Sequence, residues 1–204
     1  MSPTRLAQPP STIYAMPTTL LRAGALLLAG VALSSCVVMS LHPFVKDADA
    51  IFDEALLGAW DFPQGDGYLV FERDGDKKYR LAIHEKKKVT HYEGRLVAFG
   101  DTRCLDFQAV PVQPEPYLVL RTHGLMRVAV VDGALEISLL DYRSLRDAWE
   151  KGGHKLEGLA ASDSPGGLLL TSSTDELRAF IVANLKQPNL FEKPARNPRR
   201  TAPK

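Results

Sequence analysis

KYRLAIHEKKKVTHYEGRLVAFGDTRCLDFQA, residues 78–109, decides the fold. Tyr79, Leu81 and Ile83 alternate with other residues, the period of a half-buried strand. Lys86-Lys87-Lys88 then makes a charged turn into residues 89–99. Gly100-Asp101 turns the chain again before residues 102–109, where Leu105, Phe107 and Ala109 share one face. Short turns between such runs predict antiparallel neighbours, because a parallel pair needs a crossover of about a dozen residues or more.

The same pattern extends outward in both directions. Upstream, Leu56-Leu57-Gly58-Ala59-Trp60 opens the domain, and residues 68–73 precede the turn Asp74-Gly75-Asp76. Downstream, Pro111, Pro114 and Pro116 mark a loop, since proline cannot donate to a sheet ladder. Residues 117–122 and 125–131 resume the strand pattern. Asp132-Gly133 is a two-residue hairpin signal, after which Leu135, Ile137 and Leu139 alternate. Eight short strands with short links predict a mainly β, antiparallel up-and-down barrel. Two helices follow. Asp141 can cap residues 142–151, which end at Gly152-Gly153, and Ser173 with Glu176 forms a capping box. Leu177, Phe180, Ile181 and Leu185 then fall on one helical face, expected to pack on the barrel wall. Leu168-Leu169-Leu170 between the helices reads as one more strand.

The N-terminus reads differently. Residues 23–33 are apolar and uncharged, yet too short to span a bilayer, which needs roughly 20 apolar residues. Their length suits the core of a signal peptide, with Arg22 and Arg5 as the positive flank and either Met1 or Met16 as the start. Leu33-Ser34-Ser35-Cys36 closes the run and resembles the lipobox of bacterial lipoproteins. The resemblance implies that residues 1–35 are a signal peptide and that Cys36 carries a diacylglycerol and an acylated amine. Such palmitate-like chains, at about 0.8 kcal/mol per buried methylene, hold a protein on a membrane. Residues 36–52 are expected to be the lipidated tether. The resemblance places the protein in the cell envelope facing the periplasm, and Val37 favours the outer membrane over the inner.

Cleavage before Cys36 leaves 169 residues, enough for one domain with its own core. Arg5 and Arg22 are the only charged side chains before Cys36, so the remainder carries 23 basic and 24 acidic groups, net −1. Near-neutrality and export both argue against nucleic acid as a partner. With Cys36 lipidated, Cys104 has no disulfide partner and reads as a small buried hydrophobe. The segment 187–204 contains Pro188, Pro194, Pro198 and Pro203 with Lys193, Arg196, Arg199, Arg200 and Lys204. It is expected to be a solvated basic tail, available to an envelope protein or an anionic surface.

Gly58-Ala59-Trp60 on the first strand resembles the G-x-W of lipocalins. In that family the tryptophan plugs the closed end of an eight-stranded barrel, often under a stacked arginine, for which Arg121 and Arg127 are the candidates. The chain also resembles uncharacterised bacterial lipoproteins that pair Leu-Leu-Gly-x-Trp with a late helix like residues 174–180. The resemblance covers most of residues 53–191 and places a lipocalin-like domain with packed helices over 53–186. It implies an apolar ligand in the barrel, with Leu69, Phe71, Tyr79, Leu81, Leu105, Phe107, Leu118 and Leu120 as the lining candidates. The alternative is that these residues fill the barrel and the protein is an envelope scaffold or interaction protein.

Chemistry-bearing patterns are sparse. His42, His84, His91, His123 and His154 form no helical pair and stand in no metal-ligand spacing. His84 and His91 face each other, at most, across the lysine turn. Nucleophile-elbow, phosphate-loop and dinucleotide glycine patterns are absent. Glu72, Glu93 and Asp106 lie within strands, and their mutual placement cannot be read from spacing. The sequence therefore predicts a non-enzymatic protein with no catalytic residues, no metal and no cofactor.

Overall fold

The computed structural model describes residues 38–65, 67–110, 120–150, 156–160 and 167–201. Leu33, Ser34, Ser35, Cys36, Leu118, His154 and the Pro111–Pro116 segment lie outside the described residues. The chain is mainly β. Its strands are β1 (Val38–Ser40), β2 (Gly58–Asp61), β3 (Gly67–Arg73), β4 (Tyr79–Glu85), β5 (Lys88–Phe99) and β6 (Thr102–Ala109). They continue with β7 (His123–Val131), β8 (Ala134–Leu139), β9 (Gly158–Ala160), β10 (Leu168–Leu170) and β11 (Ala195–Pro198). Two helices, α1 (Tyr142–Glu150) and α2 (Thr174–Asn184), complete it. None of the described helices is long and apolar enough to cross a membrane.

Strands β2 to β8 pair in sequence order, each antiparallel to the next. At the β7–β8 turn Asp132 and Gly133 both have positive φ, 49° and 73°, the twist that a tight hairpin needs. The lysine turn between β4 and β5 works likewise, with Lys86 at φ 51°. Its register sets His84 opposite Val89 and His91 opposite Ala82, so the two histidines are diagonal neighbours. His84 instead stacks on Tyr68, with ring centroids 4.3 Å apart.

In place of the expected closed barrel of about eight strands stands a mixed sheet of eleven described strands that does not close. There are two causes. First, β7 forks: Met126 to Val131 pair β8, while His123 pairs Ser40 of β1. Strand β1 then pairs β10 in parallel, and β10 pairs β9, which carries the sheet away from the meander. Second, the seam between β11 and β2 is one bridge, Trp60 to Arg199, with the Arg200 N–H donating to the Ala59 carbonyl at 2.8 Å. Strand β11 pairs β8 over only four residues. Pro194 stands just before it and Pro198 ends it, and neither has an N–H to extend a ladder.

Both chain ends depart from expectation. The described part of the 36–52 segment, residues 38–52, is no free tether: Val38, Phe44, Val45 and Ala50 are buried, and the Ile51 N–H donates to the Leu96 carbonyl at 2.8 Å. The described part of the 187–204 tail is likewise folded in, with Leu190 and Phe191 buried and β11 in the sheet. The strand expected over 117–122 is not seen at residues 120–122, which have no regular structure. Helix α2 follows its sequence signals. Ser173 and Glu176 form the capping box, and Leu177, Phe180 and Ile181 are buried with Leu185 packed beside them.

Candidate functional site

Alternation along β2 to β8 sends one set of side chains to the concave side of the meander. Trp60, Leu69, Phe71, Tyr79, Leu81, Leu96, Leu105, Met126, Val128 and Leu135 form one buried cluster there with Leu56. Five of the eight lining candidates, Leu69, Phe71, Tyr79, Leu81 and Leu105, belong to this cluster. Phe107 is half-buried against it, and its ring lies across Gly124, where an added Cβ would come within 2.4 Å of it. Leu120 is 64 % exposed and takes no part.

Beneath this cluster the chain builds a cap. The Trp60 indole N–H donates to the Leu56 carbonyl at 2.9 Å. The Arg199 guanidinium sits 4.2 Å over the indole ring and donates to the carbonyls of Leu57 at 3.1 Å and Ala55 at 3.2 Å. Gly58 makes room for it: φ is +117°, and a Cβ there would lie 2.7 Å from the guanidinium. Glycine, indole and guanidinium therefore form one unit. Neither arginine candidate takes that place. Arg127 faces Phe191 and donates to the Ser138 hydroxyl at 3.2 Å, and the Trp60 ring carries no contact from Arg121. Arg199 lies in a proline-rich segment without periodicity, and its place near the end of the given sequence is the one local signal that points to it.

Tyr79 joins the cap to the cluster. Its hydroxyl accepts from the Asp53 N–H at 2.6 Å and donates to the Asp53 carbonyl at 3.1 Å, while Phe52 stacks on its ring. Burial pushes the phenol pKa upward, against the hydrogen bond from the Asp53 backbone. Asp53 also pairs with Arg103.

On the other face of the sheet Asp106 is buried and gathers three donors. Its Oδ2 accepts from the N–H groups of Phe44 at 2.6 Å and Val45 at 3.2 Å. Its Oδ1 lies 2.7 Å from His123 Nδ1, and His123 Nε2 lies 3.1 Å from the Gln108 amide nitrogen. A proton on Nδ1 satisfies both contacts, since Nε2 then accepts from the amide. A carboxylate so enclosed acts as a clip that holds residues 44 and 45 onto β6. Glu72 is exposed and Glu93 half-buried, and the register sets both opposite Arg80 on the face that also carries Asp106. Burial pushes the Cys104 thiol up to about 12, against the nearby Arg127 charge, which leaves almost no thiolate at neutral pH. Among the described residues no three His, Cys, Asp or Glu side chains gather to hold a metal.

The rim where β2 ends and β4 turns into β5 carries a cleft of about 800 Å³, lined by Phe62, Pro63, Gln64, Glu85, Lys86, Lys87, Lys88 and Ala195. None of the seven described lining candidates borders it. Its three lysines have no ion-pair partner among the described residues, whereas Arg73, Arg80, Arg95, Arg103 and Arg178 are each paired. Beside it, Arg200 lies 4.0 Å over the Tyr68 ring and pairs with Asp61 at 2.7 Å. Arg196 pairs with Asp132 and Glu136, so the arginines of the tail engage their charge within the domain.

No protein-family model matches the chain, and it matches neither a curated protein nor a solved structure. The functional reading therefore rests on the geometry and the sequence alone.

Proposed function

We propose that this chain is a lipid-anchored bacterial envelope protein that acts by binding, on a lipocalin-like scaffold whose interior is filled. The observation that carries the reading is the burial of Leu69, Phe71, Tyr79, Leu81 and Leu105 around Trp60. A barrel of about eight strands either fills with side chains or holds one small ligand, and the packing of these residues against one another supports the filled state. Recognition then falls to the rim, where Lys86, Lys87 and Lys88 stand beside Phe62 and Pro63. That combination suits an acidic group on a partner protein, with the aromatic wall excluding water from the contact. The Gly58, Trp60 and Arg199 unit supports the lipocalin-like relation of β2 to β8 and β11. Leu33-Ser34-Ser35-Cys36 supports the anchor and, with Val37, the outer membrane. The groups fit for catalysis have other work: Asp106 and His123 clip the chain, and the Cys104 thiol is buried.

Native mass spectrometry of the protein extracted from bacterial membranes, with analysis of its organic extract, tests this reading. The expected species is residues 36–204 plus acyl chains and nothing else. A stoichiometric apolar guest would overturn the filled scaffold in favour of ligand binding inside the sheet. A chain that retains residues 1–35 and lacks acyl mass would overturn the anchor.

A further inference from the structure

Strands β1, β10 and β9 form a three-stranded extension with two unlike faces. Val38, Ser40, Leu168 and Leu170 are buried, three of them in the core under α2. The residues between them point the other way. The register sets Met39 opposite Leu169 and Leu169 opposite Leu159, and directly opposed residues share a face. Three large apolar side chains therefore stand in one row across three strands. Leu159 is 64 % exposed, while Met39 and Leu169 are half-buried. Strand β9 is the end of the sheet, and its outer edge pairs with no other described strand. Water-soluble proteins blunt such edges with charge or cover them, because an exposed apolar edge templates association.

The row also lies close to the proposed anchor. Val38, where β1 begins, is two residues after Cys36. Two peptide units extend at most about 7 Å, so a lipid on Cys36 leaves the domain almost no slack above the bilayer. A long flexible tether would let any face meet the membrane, but this one selects the face beside β1. Resting on the lipid-anchor reading, we infer that the Met39, Leu169 and Leu159 row is a membrane-seating surface, pressed into the interface of the phospholipid bilayer that holds the Cys36 acyl chains. The apolar row lies shallowly in the headgroup region, as interfacial apolar faces do, and fixes the orientation of the domain. The lysine cleft is built on other strands of the same domain, so a fixed seat also fixes the direction in which that cleft is presented.

Spin labelling of the acylated full chain tests the seat. Leu159→Cys and, as a control, Lys87→Cys are each labelled with a nitroxide and reconstituted in vesicles of phosphatidylethanolamine with phosphatidylglycerol. Cys104 is buried and Cys36 is blocked by lipid, so the label goes to the introduced thiol. Both positions are exposed, so neither change disturbs the core. The expected result is acyl mass on Cys36, flotation with the vesicles, and loss of access to a water-soluble nickel relaxant at position 159 but not at 87. Equal aqueous access at both positions in acylated, floating protein overturns the seat and leaves the anchor standing. Loss of access at both positions also overturns it, because the contact is then not specific to the row. Absence of acyl mass overturns the anchor and the seat together.

Discussion

Leu96 and Val97, Cys104 and Leu105, Leu125 and Met126 are sequence neighbours that serve opposite faces of one sheet. The concave face is built from contiguous strands, packs around Trp60 and is largely aliphatic and aromatic. The outer face is gathered from remote pieces: residues 38–45, α1, β10, α2 and Leu190 with Phe191. Pieces so far apart in the chain need directional contacts to fix their position, and Asp106 supplies them. One face is held mainly by volume, the other by volume and a polar clip.

The largest expected effect is at the centre of the concave face. Trp60→Ala should lower the unfolding free energy by about 3–5 kcal/mol, read from urea denaturation, because a fully buried indole leaves a cavity. A loss under about 1 kcal/mol would mean that the concave side is not a packed core. Asp106→Ala should cost about 2–3 kcal/mol, since it strands two buried N–H groups and the His123 ring. Its signature is regional. Amide exchange should quicken over residues 38–51 and stay slow in β3 and β4; equal quickening in both regions would erase the distinction between the faces.

Alkali should act on the outer face first. The Cys104 thiol ionises near 9 in the unfolded chain and only at about 12 in the fold, so the fold binds the proton more tightly. Its contribution to stability is complete below pH 9 and is lost as pH rises toward 12. Between pH 8 and 10 this amounts to about 1.4 kcal/mol, and Cys104→Ala should remove that slope. Tyr79, on the concave face, is raised in the same direction and adds its own loss above its usual value of 10. The smallest effect belongs to the cap: Arg199→Ala should cost about 0.5–1 kcal/mol, as an exposed cation over an aromatic face does. Faster exchange at the Arg200 amide, with β3 and β4 unchanged, would accompany it.

The concave face was legible in the sequence because its strands are long enough to show a period of two and are bounded by turn residues. Strand β6 spans 102–109 as its pattern predicts, and the Asp132-Gly133 turn has the conformation its composition requires. The outer face was legible in α2, which carries a capping box and a clear stripe, in α1 behind its Asp141 cap, and in the Leu168–Leu170 strand. Strands β1 and β9 have three residues each and β11 has four, too few for any periodicity. The parallel pairing of Val38 with Leu168 joins segments about 130 residues apart, and nothing local announces it. Gly58 and Trp60 were recognisable, whereas their partner Arg199 was hidden by prolines that resemble those of a loose tail. Of the eight lining candidates, Leu69, Phe71, Tyr79, Leu81 and Leu105 share one buried cluster, although a period of two does not by itself say which face is turned inward. Leu120 shows the limit: an alternating run next to prolines need not become a strand.

The seam at Arg199 has a kinetic consequence. Its guanidinium meets the Leu57 carbonyl 142 residues earlier in the chain, so the start of β2 and the end of β11 depend on each other. Contacts of such long sequence separation form late, because the intervening loop must be ordered before they repay it. A chain still emerging from the ribosome lacks the residues that seal its own first strand. It therefore stays unsealed until residue 199 is available, 142 residues after Leu57. Assembly of the cap then reports that two segments far apart in the chain are both in place.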